Sequence, residues 1–227
     1  MKLTFSGIEN IPMVEPGDDL ADLILQGLAS MGETLQQDDV LVLAQKIVSK
    51  AENRYLDLRT VTPSETAQAL ALEVDKDPRK VQAILDESNE VVRKRAGVLI
   101  VEQKLGFVQA NAGIDQSNIS HEGDDDDHTC LLLPVDPDAS AERVRAAISE
   151  RLGIHVAVII NDSIGRAWRN GSLGLAIGVA GMTALEDYIG KTDIYGRELM
   201  VTLVAAADEM AAGASLVMGQ TTEKTPA

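Results

Sequence analysis

Two uninterrupted apolar runs restrict this chain more than any other feature. They are Val40-Leu41-Val42-Leu43-Ala44 and, after His155, Val156-Ala157-Val158-Ile159-Ile160. A strand with one face in water alternates apolar and polar side chains, so a continuous run reads as a strand buried on both faces. Neither run approaches the length of a membrane span. Sheets covered on both sides need helices to cover them, and amphipathic helical patterns lie between and around the runs. The expected fold class is therefore α/β, in a mixed α+β arrangement.

The covering elements are legible from their caps and periodicity. Asp18 is expected to cap a helix with Leu20, Leu23, Ile24, Gly27 and Leu28 on one face, stopped by Gly32. Thr62-Pro63-Ser64-Glu65 reads as a capping box opening a helix with Ala67, Leu70, Ala71 and Val74 inward. Asp77-Pro78 opens another, with Val81, Ile84 and Leu85 inward. Residues 140–152 form a helix ended by Gly153, and residues 197–218 read as a long Ala-rich helix suited to close packing or a dimer seam. Strands are expected at 2–5, 90–95, 98–101 and 105–108. With no repeat and no compositional break, residues 1–227 read as one unit, built of two interleaved subdomains.

Charge limits the partners. The net charge is −16 and the pI about 4.5, which argues against nucleic acid and anionic membrane surfaces. Any phosphate ligand would need local Lys, Arg or metal ions to offset that field. The single cysteine, Cys130, excludes an intrachain disulfide and a Cys-based zinc site. No signal-peptide pattern opens the chain, so a cytoplasmic location is expected.

Candidate chemistry follows the two buried runs. The first leads into Gln45, Lys46 and Lys50; the lysines are four apart and share a face if the segment is helical. The second delivers Asn161, Asp162 and Ser163. Ligand groups of α/β proteins gather at such strand ends. Between them, residues 110–118 read Ala-Asn-Ala-Gly-Ile-Asp-Gln-Ser-Asn, where small and amide side chains permit close backbone approach. There Asp115 offers a hard oxygen, and Asn111 and Asn118 offer donors and acceptors. Two carboxylates, a hydroxyl and lysines suit a nucleotide bound through divalent cations. Arg166 and Arg169 flank the lone Trp168 and could grip an anion beside a stacking ring, or be surface charges around a core indole. The acidic residues 124–127 read as a solvated loop. Gly190-Lys191-Thr192 lacks the upstream glycine of a P-loop, and Gly171, Gly174, Gly178 and Gly181 do not fit the dinucleotide fingerprint. No Ser/His/Asp triad is evident.

Taken in order, several stretches resemble the coenzyme F420-0:L-glutamate ligase family, also called F420 gamma-glutamyl ligase, in its stand-alone form. They are Gly17-Asp18-Asp19-Leu20, Ile47-Val48-Ser49-Lys50-Ala51-Glu52, residues 110–118, Leu132-Leu133-Pro134, Asp136-Pro137-Asp138, Gly165-Arg166-Ala167-Trp168-Arg169, Ala176-Ile177-Gly178, Tyr195-Gly196-Arg197-Glu198-Leu199 and Met218-Gly219. The resemblance implies a two-domain α/β fold in an intertwined homodimer. It also implies GTP-dependent addition of L-glutamate, and of further gamma-linked glutamates, to coenzyme F420-0 through an acyl phosphate. Carried over, Asp115 and Asp162 would be Mg²⁺ or Mn²⁺ ligands, with Ser163 near a second metal. Ile11, Pro12, Met13, Val14, Gln45, Lys46, Lys50 and Asn118 would contact GTP. Gly219 and Gln220 would lie near the phosphates or metal, and Arg166 and Arg169 would hold the deazaflavin acid. Lys50, Asp115 and Asp162 would carry catalysis; whether K⁺ also takes part is left open. Ser163 stands where the family commonly has Thr, and Gln220 where Glu or Lys is common. Two other classes use the same parts: a metal-dependent phosphohydrolase, and a GTP- or metabolite-binding module without turnover.

Overall fold

The computed structural model describes residues 2–119, 128–165 and 168–227. The two apolar runs become strands β1 (Val40–Ala44) and β7 (Ala157–Gly165), hydrogen-bonded side by side in parallel. Strand β8 (Ser172–Ala180) lies antiparallel on the far side of β7, giving the order β1-β7-β8.

Both faces of this sheet are covered, as continuous apolar strands require. Leu41, Leu43, Val158 and Ile160 face helices α1 (Leu20–Ser30), α2 (Gln45–Ala51) and α5 (Pro137–Leu152). Val42 and Ile159 face helix α6 (Ala206–Met218), through Ala207, Ala211, Ala214 and Met218. Each fully buried aliphatic side chain here stabilises the fold by roughly 1.5–3 kcal/mol.

A separate apolar cluster forms around helices α3 (Glu65–Val74) and α4 (Pro78–Asp86), packed on the antiparallel strands β3 (Ser88–Arg95), β4 (Val98–Gln103) and β5 (Val108–Ala110). Strands β2 (Tyr55–Asp57) and β6 (Thr129–Leu131) pair beside it, and Cys130 is fully buried there. A small hairpin, β9 (Glu186–Asp187) with β10 (Leu203–Val204), completes the chain's elements.

Several expected boundaries move. Residues 2–5 form no strand; Phe5 instead packs against α6, where its ring occupies the place a side chain on Gly213 would need. Asp19, not Asp18, caps α1, because its carboxylate accepts from Asp22 N while Asp18 closes the preceding turn onto Glu15 N. Ser64, not Thr62, caps α3, accepting from Ala67 N after an extended Thr62-Pro63. Helix α5 starts early, at Pro137, because Asp136 accepts from Ala139 N. Residues 104–107 turn between β4 and β5 at Gly106 (φ 91°), so the strand begins at Val108. The long C-terminal helix starts only at Ala206, since Leu203 and Val204 pair with the 186–187 strand. The acidic residues 124–127 and Arg166 lie outside the described residues.

Helix α5 lies hard against β8. A Cβ on Gly178 would sit 2.7 Å from Pro137 Cβ and collide with the Pro137 carbonyl. Gly178→Ala is expected to destabilise the protein by about 1–3 kcal/mol through overpacking. An unchanged urea midpoint would show that the two elements can separate freely.

Candidate active site

Strand β1 ends at Ala44, opposite Asn161, while β7 runs on to Gly165. A register shift between Ile160 and Asn161 breaks the regular pairing with β8 just there. The consequence is that Asp162 and Ser163 extend past the end of β1, beside the start of α2. A cavity of about 720 Å³ opens at this step.

Helix α2 contributes its first turns to the cavity wall. Lys46 and Lys50 both line it, one helical turn apart. Gln45 is buried, with its amide donating to Ser49 Oγ at 2.5 Å. Lys50 is only 7% exposed, and burial pushes its ammonium below the usual lysine range, with Glu15 opposing and Lys46 reinforcing that shift.

The 110–118 stretch forms the opposite wall. Asn111, Ala112 and Gly113 all take positive φ, at 54°, 55° and 71°, so the chain reverses sharply after β5. Non-glycine residues in this region cost on the order of 1 kcal/mol each and persist only where surroundings enforce them. Beyond the reversal, Asp115 exchanges backbone hydrogen bonds with Leu131, at 3.0 and 2.9 Å, which fixes its position. Its Oδ1 accepts from Ser117 N and Ser117 Oγ, both at 2.8 Å. Its Oδ2 meets Lys46 Nζ at 2.7 Å. Burial alone would raise the Asp115 pKa; the Lys46 and Ser117 hydrogen bonds outweigh it and hold the carboxyl below its usual range.

Asp162 behaves in the opposite way. Burial pushes its carboxyl up to about 6, the Ser163 backbone N–H opposes, and the Asp115 charge raises it further against Lys46. Among the described residues no salt bridge is made by Asp162, nor does any group of three His, Cys, Asp or Glu gather as a ready metal cage. Two carboxylates close enough to feel each other, with the Ser163 hydroxyl alongside, nevertheless suit a hard divalent cation that completes its shell with phosphate and water.

Most of the residues singled out by sequence line this one cavity. Ile11, Pro12, Met13 and Val14 form one flank, Gln45, Lys46 and Lys50 another, and Asp115, Asn118, Asp162, Ser163, Gly219 and Gln220 complete it. Arg169 does not line it and is exposed, and Trp168 is 99% exposed, so its indole is no core residue. Sequence reasoning missed Gln109 and gave Asn161 no role; both are buried cavity residues with an unpartnered polar atom, Nε2 and Oδ1 respectively. The signal for Gln109 was its polar identity at an inward position of β5; Asn161 stood immediately before Asp162. The 221–226 segment was also missed, although it lines the cavity and ties down β1, with Ala44 N donating to the Pro226 carbonyl at 2.8 Å.

Fold and site together define a class: a mixed α/β protein whose small-molecule cavity, at the end of a parallel strand pair, combines hard oxygen donors with lysines. Comparison with known proteins gives the family. A family model described as F420-0:Gamma-glutamyl ligase matches residues 8–227. The coenzyme F420:L-glutamate ligase of Methanothermobacter thermautotrophicus is 46% identical over 227 residues, covering 100% of this chain and 88% of that protein. The protein of the same name from Archaeoglobus fulgidus is 43% identical over 227 residues, covering 100% and 86%. That of Haloarcula marismortui is 43% identical over 226 residues, covering 97% and 83%. The chain belongs to the F420-0:gamma-glutamyl ligase family.

The raised Asp162 pKa has a thermodynamic consequence. A carboxyl raised from 3.8 to about 6 contributes stability that is complete below pH 3.8 and lost as pH rises through about 6. At pH 7 the charged group therefore opposes folding of the ligand-free protein, by up to about 3 kcal/mol before solvent screening is allowed for. Asp162→Asn should stabilise that protein by about 1–2 kcal/mol at pH 7 and not at pH 4. Denaturant titrations at the two pH values measure this; a variant less stable at pH 7 would contradict it.

Proposed function

We propose that this chain is a GTP-dependent ligase that joins L-glutamate to coenzyme F420-0. The observation that carries the reading is that Asp115 and Asp162 line one cavity with Lys46 and Lys50, although distant in sequence. Such a cavity can take a triphosphate in a protein of net charge −16 if divalent cations on Asp115 and Asp162 join Lys46 and Lys50 in offsetting the phosphate charge.

A carboxylate is a poor electrophile until one oxygen becomes a good leaving group. The terminal carboxylate of the deazaflavin acid attacks the γ-phosphorus of GTP, the bond to the β-phosphate oxygen breaks, and GDP and an acyl phosphate form. The amine of L-glutamate then attacks the acyl carbon, phosphate leaves, and the amine gives up a proton as the amide forms. Repetition at the gamma-carboxylate would add further glutamates.

Both reactants of the first step are anions, so positioning and charge neutralisation supply most of the acceleration. Asp115 and Asp162, with Ser163 and Gln220 beside them, would hold Mg²⁺ or Mn²⁺, which neutralises and aligns the phosphates. Residues 11–14, Gln45, Asn118 and Gly219 shape the nucleotide's bed. Lys46 and Lys50 direct ammonium groups at the phosphates, and the burial of Lys50 keeps water from weakening its interaction. A homodimer fits the exposed apolar side chains of Ile194, Tyr195, Met200 and Val201.

Incubation with GTP, Mn²⁺, L-glutamate and coenzyme F420-0 is expected to give products heavier by whole glutamyl units, together with GDP and phosphate. Asp115→Asn and Lys50→Met should each lower the rate by at least about 100-fold while leaving the circular dichroism spectrum unchanged. Phosphate release without dependence on glutamate would favour the phosphohydrolase, and GTP binding without turnover would favour a sensing module.

A further inference from the structure

Asp115 has both carboxylate oxygens committed. Oδ1 accepts twice from Ser117, and Oδ2 is held by Lys46 Nζ at 2.7 Å. The same ammonium also donates to Ser117 Oγ at 2.9 Å, closing a small ring of Lys46, Asp115 and Ser117. The pairing joins the start of α2 to the 110–118 wall across the cavity, between residues 71 apart in sequence to Ser117. Lys50, which lines the cavity together with Lys46 and Lys224, is 7% exposed, and no salt bridge is among those found for it in the described residues. The two lysines thus play different parts: one is fixed in the wall, the other rests on a candidate metal ligand at the end of a flexible four-carbon stem.

We infer that Lys46 is a displaceable counter-ion that occupies the cation position of Asp115 until nucleotide arrives, and so makes metal binding and nucleotide binding depend on each other. The inference rests on the reading of Asp115 as a metal ligand and of the cavity as a triphosphate site. A divalent cation binds a carboxylate oxygen at about 2.0–2.6 Å, closer than the ammonium now sits on the same atom. A metal ion and an ammonium on the same oxygen repel each other and compete for its lone pairs. Metal entry therefore weakens the hold on Lys46 and favours its release, and a released ammonium needs a new anion. The other cavity carboxylates are Asp162, itself a candidate ligand, and Glu223, whose oxygens accept from Thr221 N and Oγ1, so the phosphates of the nucleotide are the anion best able to receive it. Metal alone leaves Lys46 without a partner, and nucleotide alone leaves it divided between Asp115 and phosphate. Only the two together satisfy every charge, which is positive linkage between ligands. Lys46 acts here as a positioning residue for the metal site, in addition to any contact with phosphate.

The test uses the full chain and equilibrium Mn²⁺ titrations followed by the electron paramagnetic resonance of free Mn²⁺. Wild type, Lys46→Met, Lys46→Gln and Lys50→Met are compared without nucleotide, with thermal melts to check folding. Lys50→Met removes the same unit of charge from the same cavity and so controls for electrostatics alone. Both Lys46 variants should bind Mn²⁺ about tenfold or more tighter than wild type, and Lys50→Met less than threefold tighter. Adding a non-hydrolysable GTP analogue should tighten Mn²⁺ binding at least tenfold in wild type, beyond the affinity of Mn²⁺ for the analogue itself, and less than threefold in the Lys46 variants. Unchanged or weaker Mn²⁺ binding in the Lys46 variants overturns the inference, as does an equal gain in Lys50→Met. Asp115→Asn separates the two levels: if it binds Mn²⁺ as wild type does, Asp115 is no ligand and the underlying site reading falls too. If Asp115→Asn loses Mn²⁺ while Lys46 substitution changes nothing, the site reading stands and only the counter-ion role is lost.

Discussion

The parallel pairing of β1 with β7 is the constraint on which the remaining structure depends. Register Val40↔Ala157 through Ala44↔Asn161 brings two apolar runs, more than a hundred residues apart, into one sheet. Their complete burial forces helices onto both faces, because neither side of such strands can be left in water. Their unequal length then does the functional work. Where β1 stops and β7 continues, backbone groups lose a neighbour, and the chain fills the gap with α2, the 110–118 reversal and the 221–226 segment. Ligand sites of α/β proteins arise at such steps because side chains from several segments converge there without obstructing one another.

Electrostatics gives the cavity its character. The two carboxylates sit in contrasting surroundings: Asp115 is hydrogen-bonded and ion-paired, and its carboxyl is lowered, while Asp162 makes no salt bridge among the described residues, and burial raises its carboxyl to about 6. Burial alone would raise both. The difference is made by one lysine and one serine, which reach Asp115 and leave Asp162 to the weaker field of the same ammonium.

Much of this was legible before any coordinates. The buried strands, the helices over residues 20–30, 65–74 and 78–86, and the strands at 88–95 and 98–103 follow from caps and periodicity, since these depend on residues close in sequence. The misreadings share one cause. Residues 2–5 and 105–108 have strand-like composition, yet no neighbouring strand accepts them along those lengths; the Ala-rich stretch before residue 206 yields its start to a hairpin partner at 186–187. Propensity was overridden by pairing partners that local sequence does not name.

The sequence by itself determined which residues could do chemistry and that two doubly buried strands would carry them, because residue type and apolar period are local properties. The tertiary structure alone decided that Lys46 reaches Asp115, that Asp162 is recessed enough for burial to raise its carboxyl, and that Gln109 and Asn161 bring unpartnered atoms to the same region. Those facts are set by register, by the positive-φ reversal at residues 111–113 and by the different lengths of two strands. Distances between groups remote in sequence, and the burial that shifts their proton affinities, exist only once the chain has closed on itself.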